Sequence, residues 1–194
     1  MPPKPKFTRE EIVQTALEIV SQKGVEALTA KELGDALGSS ARPIFTVFNS
    51  MKEVQDEVRA AAMHRFESFA EQKLPGMPLF KQVGMQMVLF GAREPKLYQL
   101  LFMQENRSAV SFDDVFGALC PTAGTCIGLI REEYDMSEAE ARLLFENIRI
   151  FTFGVGALCA TRMCHFSEAK LGEMLSMEFQ AMMLLVRSRA GDAQ

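Results

Sequence analysis

Apolar residues recur at intervals of three and four along nearly the whole chain, which is the spacing of one face of an α-helix. In the first such segment, the apolar positions between Thr8 and Gly24 are Ile12, Val13, Ala16, Leu17, Ile19 and Val20. No stretch alternates apolar and polar residues as a half-buried strand would. The pattern therefore predicts an all-α fold.

Four of the predicted helices begin with the same signal, a hydroxyl residue followed three positions later by glutamate. The pairs are Thr8 and Glu11, Thr29 and Glu32, Ser50 and Glu53, and Ser137 and Glu140. In a capping box the hydroxyl and the carboxylate satisfy free backbone amides reciprocally at the start of a helix. Each pair precedes an amphipathic segment, so the four together indicate helix starts.

Two short helices are predicted between Thr29 and Phe48. The first ends at Gly38, and a cap at Ser39 or Ser40 opens the second, which runs through Phe48. Two helices of about two turns joined by a glycine-containing turn are typical of a helix-turn-helix motif.

Ser50 then opens a long helix that breaks at Pro75, Gly76 and Pro78. Beyond the break the pattern predicts helices at about 79–92, 95–104, 111–134 with a bend at Pro121, 137–163 and 167–189. The prediction is about nine helices in all.

Composition and charge place the chain among ordinary globular proteins. It has 194 residues, of which 48% are hydrophobic and 24% charged, and this excludes a disordered regulator. A net charge of -4 gives no bulk attraction to a polyanion, so any contact with nucleic acid must use local basic groups. The 13 Met and 15 Phe, with no Trp, form an unusual excess of residues that adapt to varied partners or fill a helical core.

The residue types also bear on the compartment. Residues 1–9 are polar and do not resemble a secretion signal, and Cys120, Cys126, Cys159 and Cys164 include no C-x-x-C pair. We therefore expect the reducing cytoplasm. Gly, Arg or Glu interrupts every apolar stretch before the ~18 residues of a membrane span, so no membrane partner is expected.

Motifs for catalysis and for cofactors are missing from the sequence. It contains no GxGxxG, Walker loop, GxSxG or HExxH. Cys159 and Cys164 would lie about 140° apart on a continuous helix, so a metal shared with the neighbouring His165 is not expected. We expect no enzyme activity, no cofactor and no metal, and keep a redox-active thiol as an alternative.

The segment 7–58, FTREEIVQTALEIVSQKGVEALTAKELGDALGSSARPIFTVFNSMKEVQDEV, resembles the DNA-binding half of the TetR family of transcriptional regulators. The features that match are the long first helix, LTAKELGDALGSS as the second helix and turn, and IFTVF in the place of the family's Leu-Tyr-x-His-Phe. The resemblance implies a helix-turn-helix DNA-binding domain at 1–50 and a helical ligand-binding and dimerisation domain at 51–194. Phe45 and Val47 replace the family's Tyr and His, which removes two polar phosphate contacts.

The predicted DNA contacts fall on three segments. A helix entering the major groove presents its first turn to base edges, and Arg42 is the one long donor there, so we expect it to contact guanine. Thr29 and Lys31 at the start of the second predicted helix, and Lys52 at the start of the fourth, are placed like the family's phosphate contacts. The basic N-terminal arm, with Lys4 and Lys6, suits the DNA backbone or the minor groove. The predicted set is Lys4, Lys6, Thr29, Lys31, Ser39, Ser40, Arg42, Pro43, Phe45, Thr46 and Lys52. Residues 39–43 form the leading edge of this predicted helix, which we name the reading edge. Pro43 either stiffens the reading edge or marks a late helix start.

The last helix is predicted to join two subunits. At ~100° per residue its apolar side chains cover most of the circumference, so it must be buried on two sides. Gly154 and Ala157 in the preceding helix permit close helix approach, either inside one subunit or between two. The predicted interface is Gly154, Ala157, Leu171, Met174, Leu175 and Met182. A two-fold dimer implies a roughly palindromic DNA operator.

We call the predicted DNA-binding domain the head and the rest of the chain the body. The Met and Phe residues between the head and the last helices form the predicted effector site. Its residues are Met63, Phe66, Met87, Phe90, Phe102, Met103, Phe116 and Phe151. The resemblance implies a pocket in this region, and such a lining suits a lipophilic or aromatic ligand. Simple core packing is the competing interpretation for each residue.

The resulting hypothesis is a homodimeric repressor that binds double-stranded DNA and is released by a small apolar effector. In that mechanism the ligand favours a state whose two heads are wrongly spaced for DNA. The alternative is a ligand-binding or thiol redox-sensing dimer whose head has weak or lost DNA binding.

Overall fold

Helices make up all the regular structure in the described part of the chain. A computed structural model describes residues 5–105, 110–112, 114 and 123–192. Within these residues run eight α-helices: α1 Arg9–Lys23, α2 Ala30–Ala36, α3 Met51–Ala70, α4 Leu79–Arg93, α5 Pro95–Phe102, α6 Ala123–Tyr134, α7 Glu138–Ala160 and α8 Glu168–Asp192. The all-α prediction is confirmed, with eight helices where about nine were expected. The bend predicted at Pro121 lies outside the described residues.

The four predicted caps are confirmed. Each hydroxyl accepts a hydrogen bond from the backbone amide three residues on. The side chains of Glu11 and Glu140 in turn accept a hydrogen bond from the backbone amides of Thr8 and Ser137, which completes a capping box at each of these two helix starts. Glu53 instead accepts from the backbone amide of Asn49 at 2.8 Å. These four helix starts are thus determined by local side-chain hydrogen bonds.

The second helix of the predicted helix-turn-helix is wrong in form. It was expected to run from Ser39 or Ser40 through Phe48, but the chain forms turns and one short 3-10 helix, Ile44–Thr46. Pro43 accounts for the difference, because proline has no amide to donate and keeps the residue before it out of the α region. Of the two interpretations of this proline, the late helix start is the one observed.

The helices pack around two centres. Helix α1 contacts α2, α3 and α5, whereas α7 is central to the body and contacts α4, α5, α6 and α8. One apolar cluster runs from Ile12 and Leu33 through Val58 to Leu97 and Tyr98. Because this cluster crosses residue 50, the head and the body share a core. The domain division at that residue stays a prediction.

Helix α7 is long and apolar enough to cross a bilayer, and it alone passes that test among the described residues. Half of its most apolar window is buried against other helices. The core helix of a soluble protein has the same property. The central position of α7 therefore accounts for its hydropathy.

Candidate nucleic-acid interface

Gly34 allows the turn of the helix-turn-helix to fold back onto α2. A β-carbon at this position would lie 2.9 Å from the backbone nitrogen of Ala41 and 3.1 Å from the carbonyl oxygen of Ser39. The amide of Ser39 donates to the carbonyl of Gly34 at 2.9 Å, which closes the turn. Any larger residue at position 34 would push the reading edge away from α2.

The turn presents a compact reading edge to solvent. Ser40, Arg42 and Thr46 are exposed, and Phe45 is 47% exposed although it is aromatic. Arg42 makes no hydrogen bond or ion pair with any described residue, so its guanidinium is available to a ligand. The hydroxyl of Thr46 donates to the Pro43 carbonyl at 2.6 Å, which holds the short 3-10 helix in place.

The other predicted DNA contacts lie in α2, in the N-terminal arm and in α3. Thr29 caps α2, and Lys31 is exposed in its first turn. Lys6 donates to the hydroxyl of Ser39 at 3.0 Å, so the N-terminal arm is tied to the turn. Lys52 is exposed and pairs with Asp56 on α3. Lys4 lies outside the described residues.

Pro43 and Ser39 differ from the rest of the predicted set because both are only half-exposed. Ser39 already accepts from Lys6, and Pro43 has no donor to offer a base or phosphate. These two residues shape the turn, whereas Arg42, Ser40 and Phe45 are exposed to solvent.

Arg9, the first residue of α1, has a structural role that sequence reasoning missed. Its guanidinium lies 4.2 Å from the centre of the Phe48 ring and donates to Glu53 at 2.7 Å and Glu57 at 2.8 Å. These bonds raise the pKa of Arg9, with the Glu57 bond the largest cause. The pKa of Glu53 is lowered, first by the amide of Asn49 and then by Arg9. Arg9 therefore fastens the start of α1 to α3 and is not free for phosphate.

The head and the body are joined at the corner between α4 and α5. Glu94 accepts from Arg65 of α3 at 2.5 Å and from the Ser21 hydroxyl of α1 at 3.0 Å. Arg65 also contacts Glu18 of α1 at 3.1 Å. Partners this distant in sequence carry no local signal, so the sequence could not predict this cluster. The cluster therefore links the corner between α4 and α5 to both α1 and α3.

Helix α5 is tied in turn to α7. The hydroxyl of Tyr98 donates to the carbonyl of Phe153 at 2.9 Å, and the amide of Gln99 donates to the carbonyl of Ala160 at 2.6 Å. Burial raises the pKa of Tyr98 far above its ordinary value, so the phenol stays neutral and remains a donor. Helix α5 therefore connects α1 to the central helix of the body.

Most of the predicted effector residues belong to packed core and not to a cavity. The Phe66 ring lies 5.1 Å from that of Phe90 and 5.0 Å from that of Phe102, edge to face in both cases. Such contacts fill the space between helices. Met87 is fully buried in the same cluster, and Met63 packs at its edge. All five residues take part in core packing, and their role in effector binding stays a prediction.

The remaining predicted effector residues have different positions. Phe151 is half-buried beside the cluster that contains Val155 and Leu171. Met103 is 39% exposed and borders an open surface cleft between α1, α5 and the end of α7. Phe116 lies outside the described residues.

A cavity does lie elsewhere in the body, enclosed by α4, α7 and α8. Its volume is about 40 Å³, and it is lined by Met77, Phe80, Lys81, Gly84, Met85, Ile148, Thr152, Gly172, Leu175, Ser176 and Phe179. The ammonium of Lys81 lies 4.4 Å from the centre of the Phe179 ring. Leu175, predicted as a dimer contact, lines this cavity instead.

The predicted dimer residues divide between core and surface. Leu171 is 1% and Met182 8% exposed within the chain's own core, and their role as dimer contacts stays a prediction. They face inward because α8 packs against α7 and α4 on that side. Met174 and Ala157 are half-buried. Gly154 lies on the open face, where a β-carbon would meet nothing within 4 Å.

An apolar face on α7 and α8 remains uncovered. Its large members are Ile150, Leu158, Met177, Leu184 and Leu185. On α7 the first two lie four residues to either side of Gly154, and on α8 Met177 and Leu184 lie seven residues apart, so each set follows one helix face. We name these five residues with Gly154 the open apolar face.

Comparisons with known proteins add a likeness of fold. Neither a family model nor a curated protein matches the sequence. A solved structure described as a TetR-family transcriptional regulator from Vibrio parahaemolyticus is similar over 89% of this chain and 97% of its own, with a TM-score of 0.57 and 14% identity. The two chains therefore share a fold over nearly their full lengths.

Proposed function

We propose that this chain is a sequence-specific DNA-binding transcriptional regulator. The observation that carries the proposal is the exposed reading edge beside α2, where Arg42 lies unpaired among the described residues and Gly34 sets the turn. The shared fold supports the same function. A guanidinium presented in this way can form two hydrogen bonds to a guanine in the major groove.

The acidic composition of the head does not oppose this function. Residues 1–60 hold 8 basic and 9 acidic side chains. Several of the acids are neutralised internally, because Arg9 pairs with Glu53 and Glu57, and Lys23 pairs with Glu32. Lys31 and Arg42 at the edge have no such partner among the described residues. The local field at the reading edge is therefore more positive than the count suggests.

The regulator acts as a homodimer held by the open apolar face. A face that holds Leu184 at 72% and Met177 at 64% exposure is unfavourable in water, and a second copy would cover it in a four-helix arrangement of α7 and α8. Two copies place two reading edges on one side of the assembly. The operator is then roughly palindromic.

The regulator acts as a repressor in the cytoplasm and is released by a small apolar effector that binds between α4, α7 and α8. Ligand sites of drug size have ~300–1,000 Å³, so a cavity of about 40 Å³ must open to take one. An effector that stabilises the opened state displaces α4, and Glu94 transmits this to the head through Arg65 and Ser21. Repression is relieved because the two heads no longer fit the operator.

Titration of the full-length protein onto the DNA directly upstream of its own reading frame, at two salt concentrations, tests the proposal. We expect selective binding over scrambled DNA of equal length. With six to ten phosphate contacts, affinity should fall roughly 10³-fold or more between 50 and 200 mM salt. Binding that is absent, or equal for both DNAs, contradicts a sequence-specific regulator.

A further inference from the structure

The end of α7 folds back on itself and brings two cysteines together. The amide of Met163 donates to the carbonyl of Leu158 at 3.1 Å, and the amide of Arg162 donates to the carbonyl of Cys159 at 3.0 Å. These two bonds define a Schellman motif, in which the residue after the helix cap takes a left-handed conformation. Arg162 occupies that position with φ 58°. The chain therefore reverses, and Cys164 returns toward the last turn of α7.

The two thiols meet against the same apolar cluster. Cys159 is 6% exposed within the cluster that contains Leu171, and Cys164 packs on it from the loop. Cys164 is also close enough to contribute to the raised pKa of Cys159. A continuous helix would have held these residues about 140° apart, so the left-handed turn at Arg162 is what makes them neighbours.

We propose that Cys159 and Cys164 form a reversible intramolecular disulfide. A disulfide needs β-carbons about 3.5–4.5 Å apart, and the left-handed turn at Arg162 returns Cys164 to the cluster that holds Cys159, which allows this approach. The bond would close a short loop across the connection between α7 and α8. Ala160, whose carbonyl binds Gln99 of α5, lies inside that loop.

The order of reaction follows from the exposure of the two thiols. Cys164 is half-buried and can be reached from solvent, whereas Cys159 is in the core. Desolvation is the main cause that raises the pKa of Cys159 to about 11, and the neighbouring Cys164 adds to it. Cys159 is therefore a poor first nucleophile. It acts second, on a sulfur that is already beside it.

A small disulfide such as oxidised glutathione serves as the oxidant. The Cys164 thiolate attacks one glutathione sulfur, and a glutathione thiolate leaves. The Cys159 thiolate then attacks the Cys164 sulfur of this mixed disulfide, and the second glutathione thiolate leaves. One protein disulfide forms, the glutathione disulfide is reduced to two thiols, and the two protons lost by the cysteines end on them.

Trypsin offers a direct test because Arg162 lies between the two cysteines. Cleavage after Arg149, Arg162 and Lys170 gives one peptide, 150–162, that carries Cys159 and another, 163–170, that carries Cys164. We expect the full-length protein treated with oxidised glutathione to yield these peptides joined, two hydrogens lighter than their sum. Reduction should separate them. Before reduction, thiol titration of the oxidised and denatured protein should find two of the four thiols lost.

Three variants make the result specific. Cys126→Ser, which removes another buried cysteine, should still give the joined peptides, whereas Cys159→Ser should give only a glutathione adduct at Cys164. Cys164→Ser should give neither. Helical circular dichroism should be equal in all three. A wild-type protein that stops at the glutathione adduct, or that links either thiol to another cysteine or another chain, overturns the proposal. This result is independent of DNA binding.

Discussion

Helices α4 and α7 cross with their backbones in contact at Gly91 and Gly156. A β-carbon on Gly91 would lie 2.6 Å from the carbonyl oxygen of Gly156, and one on Gly156 would lie 2.6 Å from the hydroxyl oxygen of Tyr98. Neither distance is possible for a real side chain. A glycine inside a helix lowers its stability by ~1 kcal/mol against alanine, and the close packing of α4 on α7 offsets that loss.

Gly91→Ala should therefore destabilise the fold. The atoms it meets are backbone and cannot move aside cheaply, so we expect a loss of ~1–3 kcal/mol or more, as for an overpacked core. For a chain of this size that is a fall in melting temperature of about 2–4 °C per kcal/mol. Gly128→Ala in α6 is the control, since its β-carbon would meet nothing within 4 Å. It should be neutral or stabilising, and equal effects of the two changes would argue against the crossing.

Arg42→Ala should reduce selectivity for the operator and leave the oligomeric state unchanged. Loss of one bidentate contact to guanine is expected to remove about 1–3 kcal/mol of discrimination. Lys31→Ala, by contrast, should weaken operator and scrambled DNA alike and reduce the slope of log affinity against log salt by ~1. Both are measured by fluorescence anisotropy on labelled duplexes. An unchanged ratio of affinities in the Arg42 variant would show that this side chain does not read a base.

Leu184→Lys should convert the dimer to a monomer. The residue is 72% exposed on the open apolar face, and a charge there would be buried without a partner in the dimer. Sedimentation equilibrium should show the dissociation constant raised at least ~30-fold, the equivalent of a loss of about 2 kcal/mol. Leu79→Lys is matched in exposure, at 57%, but lies at the start of α4. If the wild type is monomeric at micromolar concentration, or both variants dissociate alike, the open apolar face is not the interface.

Gly172→Leu should close the cavity between α4, α7 and α8. Position 172 lines the cavity, and a β-carbon there meets nothing within 4 Å, so the side chain can enter the space. We expect the melting temperature to hold or rise, because leucine also favours the helix. Binding of the apolar dye anilinonaphthalene sulfonate to the folded protein should fall at least ~10-fold. Gly124→Leu on the exposed side of α6 should leave dye binding intact, and loss in both variants would place the site elsewhere.

Acid should weaken the attachment of α1 to α3. The pKa of Glu53 is lowered in the folded protein, first by the Asn49 amide and then by Arg9. Its contribution is therefore complete above the ordinary carboxyl pKa and is lost as the pH falls through the lowered value. Urea titrations between pH 7 and pH 3 should show a steeper loss of stability for the wild type than for Glu53→Gln. Glu132→Gln, on the surface of α6, should follow the wild-type curve, and identical slopes in all three proteins would contradict this role.

Local chemistry was sufficient to predict four of the eight helix starts in the described residues. Thr8, Thr29, Ser50 and Ser137 act within three residues of themselves, so the bonds they make are decided before the chain folds. The same holds for the break after α3, where Gly76 and two prolines prevent a helix. Pro43 shows the limit of pattern reasoning, because a periodic apolar sequence did not become an α-helix where its backbone chemistry opposed one.

The candidate site was only partly visible in the sequence. The reading edge with Arg42 could be placed because a turn and its neighbours are adjacent in sequence. The use of Arg9 could not, since its partners Glu53 and Glu57 are more than forty residues away. Nor could the sequence separate Phe66, which packs against the core, from a pocket wall, because apolar residues line cavities and fill cores equally well.

By itself, then, the sequence determined the helical class and the positions of the four caps. Helical period and capping depend on contacts within one or two turns, so they follow from neighbouring residues alone. The tertiary structure decided which apolar side chains of α7 and α8 face inward, where the cavity lies, and that Cys164 packs against the cluster that holds Cys159. Those relationships depend on how helices cross, and the crossing at Gly91 and Gly156 involves residues 65 positions apart.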